Sequence, residues 1–222
     1  MRIEENGIVY KIYNNMAAVE GLSEYLKHLN IIIPETVNGY VVESIEEDAF
    51  FGLDVKSITL PHSLKVIKSR AFAFCEKLEY VLHGPLKSPF YGEILEIQES
   101  AFVGCRNLKK INMAKHLNLY AHCFSDCCSL SSIDAVCNAI GEVFKNCDNL
   151  CCVTFMENCN LSQFVDIKSN IKKYNFLGNA DISTELLTSV KQQNIKIECY
   201  INSNVCDLAY DGISVHTLDL PF

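Results

Sequence analysis

Apolar and polar positions along the chain fall into a repeated register. Four stretches carry it: IEEDAFFGL, IKSRAFAFC, IQESAFVGC and LYAHCFSDC. Each opens on an aliphatic residue (Ile45, Ile67, Ile97, Leu119) and places a small one four positions on (Ala49, Ala71, Ala101, Cys123), followed at once by phenylalanine (Phe50, Phe72, Phe102, Phe124). A degenerate fifth copy, AIGEVFKNC, keeps Phe144. Three residues after each phenylalanine stands Leu53, Cys75, Cys105, Cys127 or Cys147, and an apolar run such as Leu108, Ile111 and Met113 closes the unit. The marker positions Ile31, Ile58, Val81, Ile111, Ile133, Val153, Tyr174 and Ile195 are separated by 27, 23, 30, 22, 20, 21 and 21 residues. Self-similarity at this period predicts a solenoid. The alternating run predicts a short strand with one buried face, and AFxxC predicts one turn of α- or 3₁₀-helix. A single unit cannot bury its own phenylalanine, so parallel stacking must cover each coil with the next. Eight strands at ~4.8 Å would make a ladder about 34 Å long.

The phrases IIIPETVNGYVVESIEEDAF and AFVGCRNLKKINM resemble the BspA-type leucine-rich repeat family, whose units read I-x-x-x-A-F-x-x-C-x-x-L-x-x-I-x-L-P. The resemblance is clear over residues 31–155. It implies an α/β fold, a right-handed leucine-rich repeat superhelix of short parallel strands and short helical turns, used for macromolecular contacts, often on cell surfaces, and without catalytic residues. The chain departs from that pattern in a shortened first repeat between Leu53 and Val55, an enlarged step after Val81, and the loss of proline in most units.

One domain is expected over residues 1–222, with an N-terminal cap at 1–30, repeats at 31–176, and a divergent repeat and cap at 177–222. Caps are needed because a terminal coil otherwise exposes apolar surface and a strand edge. IVYKIY and MAAVEG predict a hairpin around Asn14 and Asn15, and Ser23 to Leu29 a brief helical segment. ISTELLTSVKQQN predicts a helix capped by Ser183 or Thr184 and stopped at Asn194, and YDGISVHTLDLPF one more strand.

Composition narrows the chemistry. The 222 residues are 49% hydrophobic and 21% charged, enough for a sizeable core without disulfides or metals. With 19 basic against 27 acidic side chains the net charge is −8, which disfavours nucleic acid and anionic lipid as partners. The opening MRIEENGIVYKIYNN lacks the apolar stretch of a secretory signal, and no window approaches the ~18 apolar residues of a membrane span. A cytoplasmic setting with reduced thiols is therefore expected, while the family resemblance leaves the cell surface or another export route open. Without export, the sequon Asn160-Leu161-Ser162 carries no glycosylation meaning.

The twelve cysteines invite a zinc or thiol reading. Cys75, Cys105, Cys127 and Cys147 share one repeat position with Leu53, and Cys123 replaces alanine, so these five read as small core hydrophobes with poor reactivity. Cys128, Cys151 and Cys152 form the remaining candidate metal cluster, although no paired CxxC knuckle occurs. No Gly-rich phosphate loop, HExxH or GxSxG is present. His122 and Cys123 should point to different sides of a turn, and His83 falls at an inward strand position that the chain is expected to leave early at Gly84 and Pro85. No catalytic residue, metal ligand or cofactor is expected.

Binding must then use a surface. The strand register predicts two outward columns, one of Ser57, Tyr80, Lys110, Ser132, Cys152, Lys173 and Asn194, the other of Thr59, Leu82, Asn112, Asp134, Thr154, Asn175 and Lys196. A second candidate is the insertion at 83–95, HGPLKSPFYGEIL, where Phe90 and Tyr91 follow Pro89; exposed aromatics commonly anchor interfaces. The leading expectation is a non-enzymatic binding or adhesion module for a protein or glycan partner. The alternatives are a thiol- or zinc-dependent enzyme using the cysteines outside the ladder, and a self-assembling structural module.

Overall fold

A computed structural model describes residues 1–23, 30–83, 93–113, 116–165, 170–200, 203–211 and 213–218. The amino end is a meander of β1 (Arg2–Glu5), β2 (Ile8–Tyr13) and β3 (Met16–Leu22). The β2–β3 hairpin turns at Asn14 and Asn15, both left-handed, at φ 46° and 62°. Asparagine tolerates that region, and two successive left-handed residues match the twist of the flanking strands. β4 (Asn30–Ile32), β5 (Thr36–Val37) and β6 (Tyr40–Ile45) follow. The predicted helical segment after Ser23 lies outside the described residues.

Each coil then presents two faces. On the first, β4 pairs in parallel with β7 (Ser57–Leu60), β7 with β9 (Tyr80–His83), and β9 with a strand at Lys110–Asn112. The markers Ile31, Ile58, Val81 and Ile111 are direct partners. On the second face β6 pairs with β8 (Val66–Ile67), which pairs with β10 (Ile94–Ile97). With β11 taken as Lys110–Asn112, β10 continues to β12 (His116–Leu119). The sequence reading does not separate this second sheet from the turns that follow it: β8 is two residues long, and the last residues of β8, β10 and β12, Ile67, Ile97 and Leu119, are the positions read as opening the AFxxC units. β13 (Ser132–Glu142) and β14 (Cys152–Val165) run through both faces and bend at left-handed Ala135 and Asn158. β15 (Lys173–Phe176) and β16 (Ala180–Ile182) both pair with β14. After the helix α1 (Thr184–Gln193), β17 (Lys196–Tyr200) and β18 (Val215–Leu218) close the ladder.

The chain is thus a mostly β solenoid, and two expectations need correction. First, the AFxxC segments are turns and not helix, and α1 is the one α-helix among the described residues. The residue before each small position, Asp48, Arg70, Ser100 or His122, is left-handed at φ 57–58°. Alternate backbone N–H groups then point along the solenoid: Phe50 donates to Ala71 O, Phe72 to Ala101 O and Phe102 to Cys123 O, each at 2.7–2.8 Å. A helix would spend those donors within its own turn. Second, the final marker is Ile197, which pairs with Tyr174, and not Ile195. Ile195 N–H donates to Val190 O at 3.0 Å, and the left-handed cap Asn194 donates to Lys191 O and Val190 O, so both residues finish the helix before the strand begins.

Between the faces runs one continuous core from Ile8 to Ile213. Phe50, Phe72, Phe102 and Phe124 stack nearly parallel, with centroids 4.8, 4.9 and 5.3 Å apart and interplanar angles of 5°, 4° and 9°. That spacing matches the separation of hydrogen-bonded strands, about 4.7–4.9 Å, so one ring per coil fills the stack as an offset pile. Phe144 continues it at 6.1 Å and 12°.

Candidate functional site

The cysteine position beside that stack has a specific job. Sγ of Cys75 donates to Phe50 O at 2.9 Å, Cys105 to Phe72 O at 3.0 Å, Cys127 to Phe102 O at 3.2 Å and Cys147 to Phe124 O at 2.9 Å. Each of these carbonyls already accepts the N–H three residues on in its own turn, and the thiol of the next coil adds a second bond that ties the two coils together. Burial pushes Cys75 and Cys147 up to about 12 and Cys105, Cys123 and Cys127 well above the ordinary thiol value, so all five stay protonated and unreactive. The thiols read as candidate metal ligands are engaged separately: Cys128 with Asp126 O and Asn146 O, Cys151 with Ser131 O, and Cys152 accepting from Asn175 Nδ2 at 3.2 Å. Among the described residues no three His, Cys, Asp or Glu side chains converge.

His122 sits half-buried, its Nδ1 3.3 Å from Ser125 Oγ, while Cys123 points into the core. His83 does not leave the strand. It pairs in register with Leu60, and its ring packs edge-on against His62 at 4.8 Å. A second ring supplies the contact that an aliphatic residue would otherwise make.

On the first face the outward columns form in two runs, one ending at Lys110–Asn112 and one from Ser132 to Asn175, and no strand pairing joins the two among the described residues. Ser57, Tyr80 and Lys110 are direct partners, as are Thr59, Leu82 and Asn112, then Ser132, Cys152 and Lys173, and Thr154 with Asn175. The two-residue slip of the last coil replaces Asn194 by Lys196 in the first column and Lys196 by Glu198 in the second. Neighbours cross-link along the columns: Ser57 Oγ to Asn30 Oδ1 at 2.7 Å, Thr154 Oγ1 to Asp134 Oδ1 at 2.7 Å, and Glu198 between Lys173 and Lys196 at 2.9 Å each. Tyr80, 36% exposed, lies under the ammonium of Lys109 at 5.8 Å. Phe90 and Tyr91 lie outside the described residues.

Sequence reasoning missed two surface features. Phe51 and Phe74, 45% and 49% exposed, meet edge to face at 5.6 Å, with the Arg70 guanidinium 5.8 Å from the Phe51 ring. Phe74 is itself left-handed at φ 57°, where other coils place Gly52 and Gly104, and its ring lies so close to Gly104 that a Cβ there would stand 2.6 Å from Cδ1. The second is a cleft on the other face of the coils, lined by Asn118, Tyr120, Asn138, Ile140, Asn160 and Gln163 among others. Asn118 and Asn138 each stand immediately before the residue that opens their unit, Leu119 or Ala139, and Asn160 immediately before Leu161, so the repeat register itself could have aligned them.

No helix among the described residues is long and apolar enough to cross a membrane. The model of the BspA type leucine rich repeat region, in six copies, matches residues 24–150 and 86–205. No curated protein matches the sequence. Among solved structures, a leucine rich cell surface protein from Faecalibacterium prausnitzii A2-165 superposes with a TM-score of 0.63 at 18% identity, over 84% of this chain and 51% of that one. This chain thus spans about half the length of that relative. The leucine rich repeat protein of T. pallidum superposes with a TM-score of 0.59 at 21% identity, over 91% of this chain and 100% of that one. At these identities the superpositions speak for the fold alone, while the six matched repeat copies cover most of the sequence: the chain belongs to the BspA-type leucine-rich repeat family.

Proposed function

We propose that the protein is a non-enzymatic binding module, wound right-handed, which engages a protein partner through the first face of its coils. The sense of winding follows the strong preference of parallel strand connections. The observation that carries the binding reading is the pair of outward columns, in which polar, charged and aromatic side chains stand in register within each of two runs of coils. Side chains held to one another, as in Lys173–Glu198–Lys196, lose little further freedom on contact, which favours affinity. Tyr80 is the expected anchor, because a large ring at the surface beside a cation is the type of group that dominates interface energies.

Free thiols buried in the core favour a reducing compartment, while the family relationship supports display at a surface equally well. The whole chain, used as bait, tests the binding reading. Tyr80→Ala combined with Lys110→Glu is expected to abolish capture of the partner while circular dichroism and melting stay unchanged. Capture unaffected by that pair, but lost with Phe51→Ala/Phe74→Ala, would move the surface to the aromatic edge of the turns. Concentration-dependent oligomers in light scattering that disappear with the first pair would make the partner a second copy.

A further inference from the structure

The cleft on the second face is built from three coils. Asn118 on β12, Asn138 on β13 and Asn160 on β14 are cross-strand partners in one row. Their amides orient one another. Asn138 Nδ2 donates to Asn118 Oδ1 at 2.7 Å, Asn138 Oδ1 accepts the Asn160 backbone N–H at 3.2 Å, and Asn160 Oδ1 accepts from Ser162 N at 3.0 Å and Ser162 Oγ at 2.7 Å. All three carbonyl oxygens are thus engaged within the row. The –NH₂ groups of Asn118 and Asn160, both ends of the Gln163 amide and the Tyr120 hydroxyl retain bonding capacity toward solvent.

Past Asn138 the pairing shifts. Asn138 faces Asn160 but Ile140 faces Gln163, so β14 carries one extra residue there. Consecutive Ser162 and Gln163 are both exposed as a result, standing opposite Ile140, itself 38% exposed. Bulges of this kind are over-represented where a sheet re-aims side chains for a ligand. The finished cleft, about 210 Å³, has fixed donors and acceptors on one side, with the apolar Ile140 and the Tyr120 ring beside them. Among the described residues its lining holds no charged side chain, and Glu96 is the strand partner of Asn118 on the neighbouring β10.

We propose that this cleft is a binding subsite for one ring of a neutral hexose oligosaccharide. A pyranose presents hydroxyls that donate and accept at once, matching the mixed capacity of amides and hydroxyls, and an apolar C–H face that suits Ile140 and Tyr120. The volume falls below the roughly 300–1,000 Å³ of pockets that enclose a whole small ligand, so the sugar chain would pass across it and continue along the coils. Glu96 and the net charge of −8 select against sulfated or carboxylated sugars. This site lies on the other face from the proposed protein-binding columns and stands independently of them.

Calorimetric titration of the intact protein with maltohexaose, cellohexaose and mannohexaose, in parallel with a sulfated hexose oligomer, tests it. Saturable binding of at least one neutral sugar is expected. Gln163→Ala, whose side chain holds nothing in the fold, should weaken it by about tenfold or more with an unchanged melting temperature. Asn138→Ala should abolish it, and melting will show whether the row also supports the sheet. No binding of any neutral hexaose at millimolar concentration, binding of the sulfated sugar alone, or binding indifferent to Gln163→Ala would each overturn the proposal.

Discussion

The coils from Ile45 to Leu150 and those after Phe164 use the same ladder with different filling. In the first region every turn supplies one phenylalanine to a parallel stack and one thiol or leucine beside it. In the second the stack breaks: Phe164 meets Phe144 at 77° and Phe155 at 66°, and a ten-residue helix replaces the turn. The first-face pairing nevertheless continues through Tyr174, Ile197 and Val215. Backbone pairing therefore holds the solenoid together as a solenoid, and the aromatic stack is one of several ways to fill it. What must be satisfied is apolar volume between two sheets; the turn that supplies it can change.

The largest effect that sharpens this contrast is Phe102→Ala, which removes a ring sandwiched between Phe72 and Phe124 at 4.9 and 5.3 Å. A loss of about 3–5 kcal/mol in urea titration is expected, because rigid neighbours on both sides prevent collapse into the cavity. A loss below about 1 kcal/mol would show that the stack is not a packed unit.

Cys105→Ala comes next, at about 0.5–1.5 kcal/mol, since it removes the thiol bond to the Phe72 carbonyl, which keeps the Cys75 N–H as its other donor. Cys151→Ala, at an exposed position outside the ladder, should leave the urea midpoint unmoved. Equal effects of the two would reduce the thiol ladder to packing.

Alkaline pH tests the same ladder without mutation. Burial raises the folded-state values of Cys75 and Cys147 to about 12, and those of Cys105 and Cys127 rise in the same direction. Above the unfolded thiol value of about 8.5 the unfolded chain loses protons that the folded chain keeps, so stability falls as pH rises. The contribution is full below that value and is lost progressively toward pH 12. Urea midpoints measured from pH 7 upward should decline from about pH 9, and less steeply in a variant with Cys75 and Cys147 replaced by leucine. Leucine already stands at this repeat position in the first coil, as half-buried Leu53.

The stack, the thiol ladder and the first-face columns were legible because they share one period with an unmistakable phenylalanine. The second sheet was not, although β10 and β12 alternate as the first-face strands do, because β8 has only two residues and each of these strands leads straight into an AFxxC turn that claims the same apolar positions. The turns were misread as helical because small and bulky residues at AFxxC spacing suit either geometry. The residues that decide it, Asp48, Arg70, Ser100 and His122, are not glycine and so give no signal of their left-handed backbone. The amide row left a fainter signal: Asn118 and Asn138 each stand six residues before Phe124 and Phe144, but Asn160 stands only four before Phe164, and it is the second sheet that makes the three neighbours.

The smallest effect concerns the helix that displaced the predicted register. Asn194 closes α1 in a left-handed conformation, φ 53° and ψ 45°, and its N–H reaches Lys191 O and Val190 O. Glycine adopts that backbone freely, whereas alanine pays about 1–2 kcal/mol for it. Asn194→Gly should therefore match or slightly exceed the parent in thermal melting, and Asn194→Ala should fall below it. If the two melted alike, the cap would not be fixed as described, Ile195 would be free to enter the strand, and the pairing of Tyr174 with Ile197 would lose its physical reason.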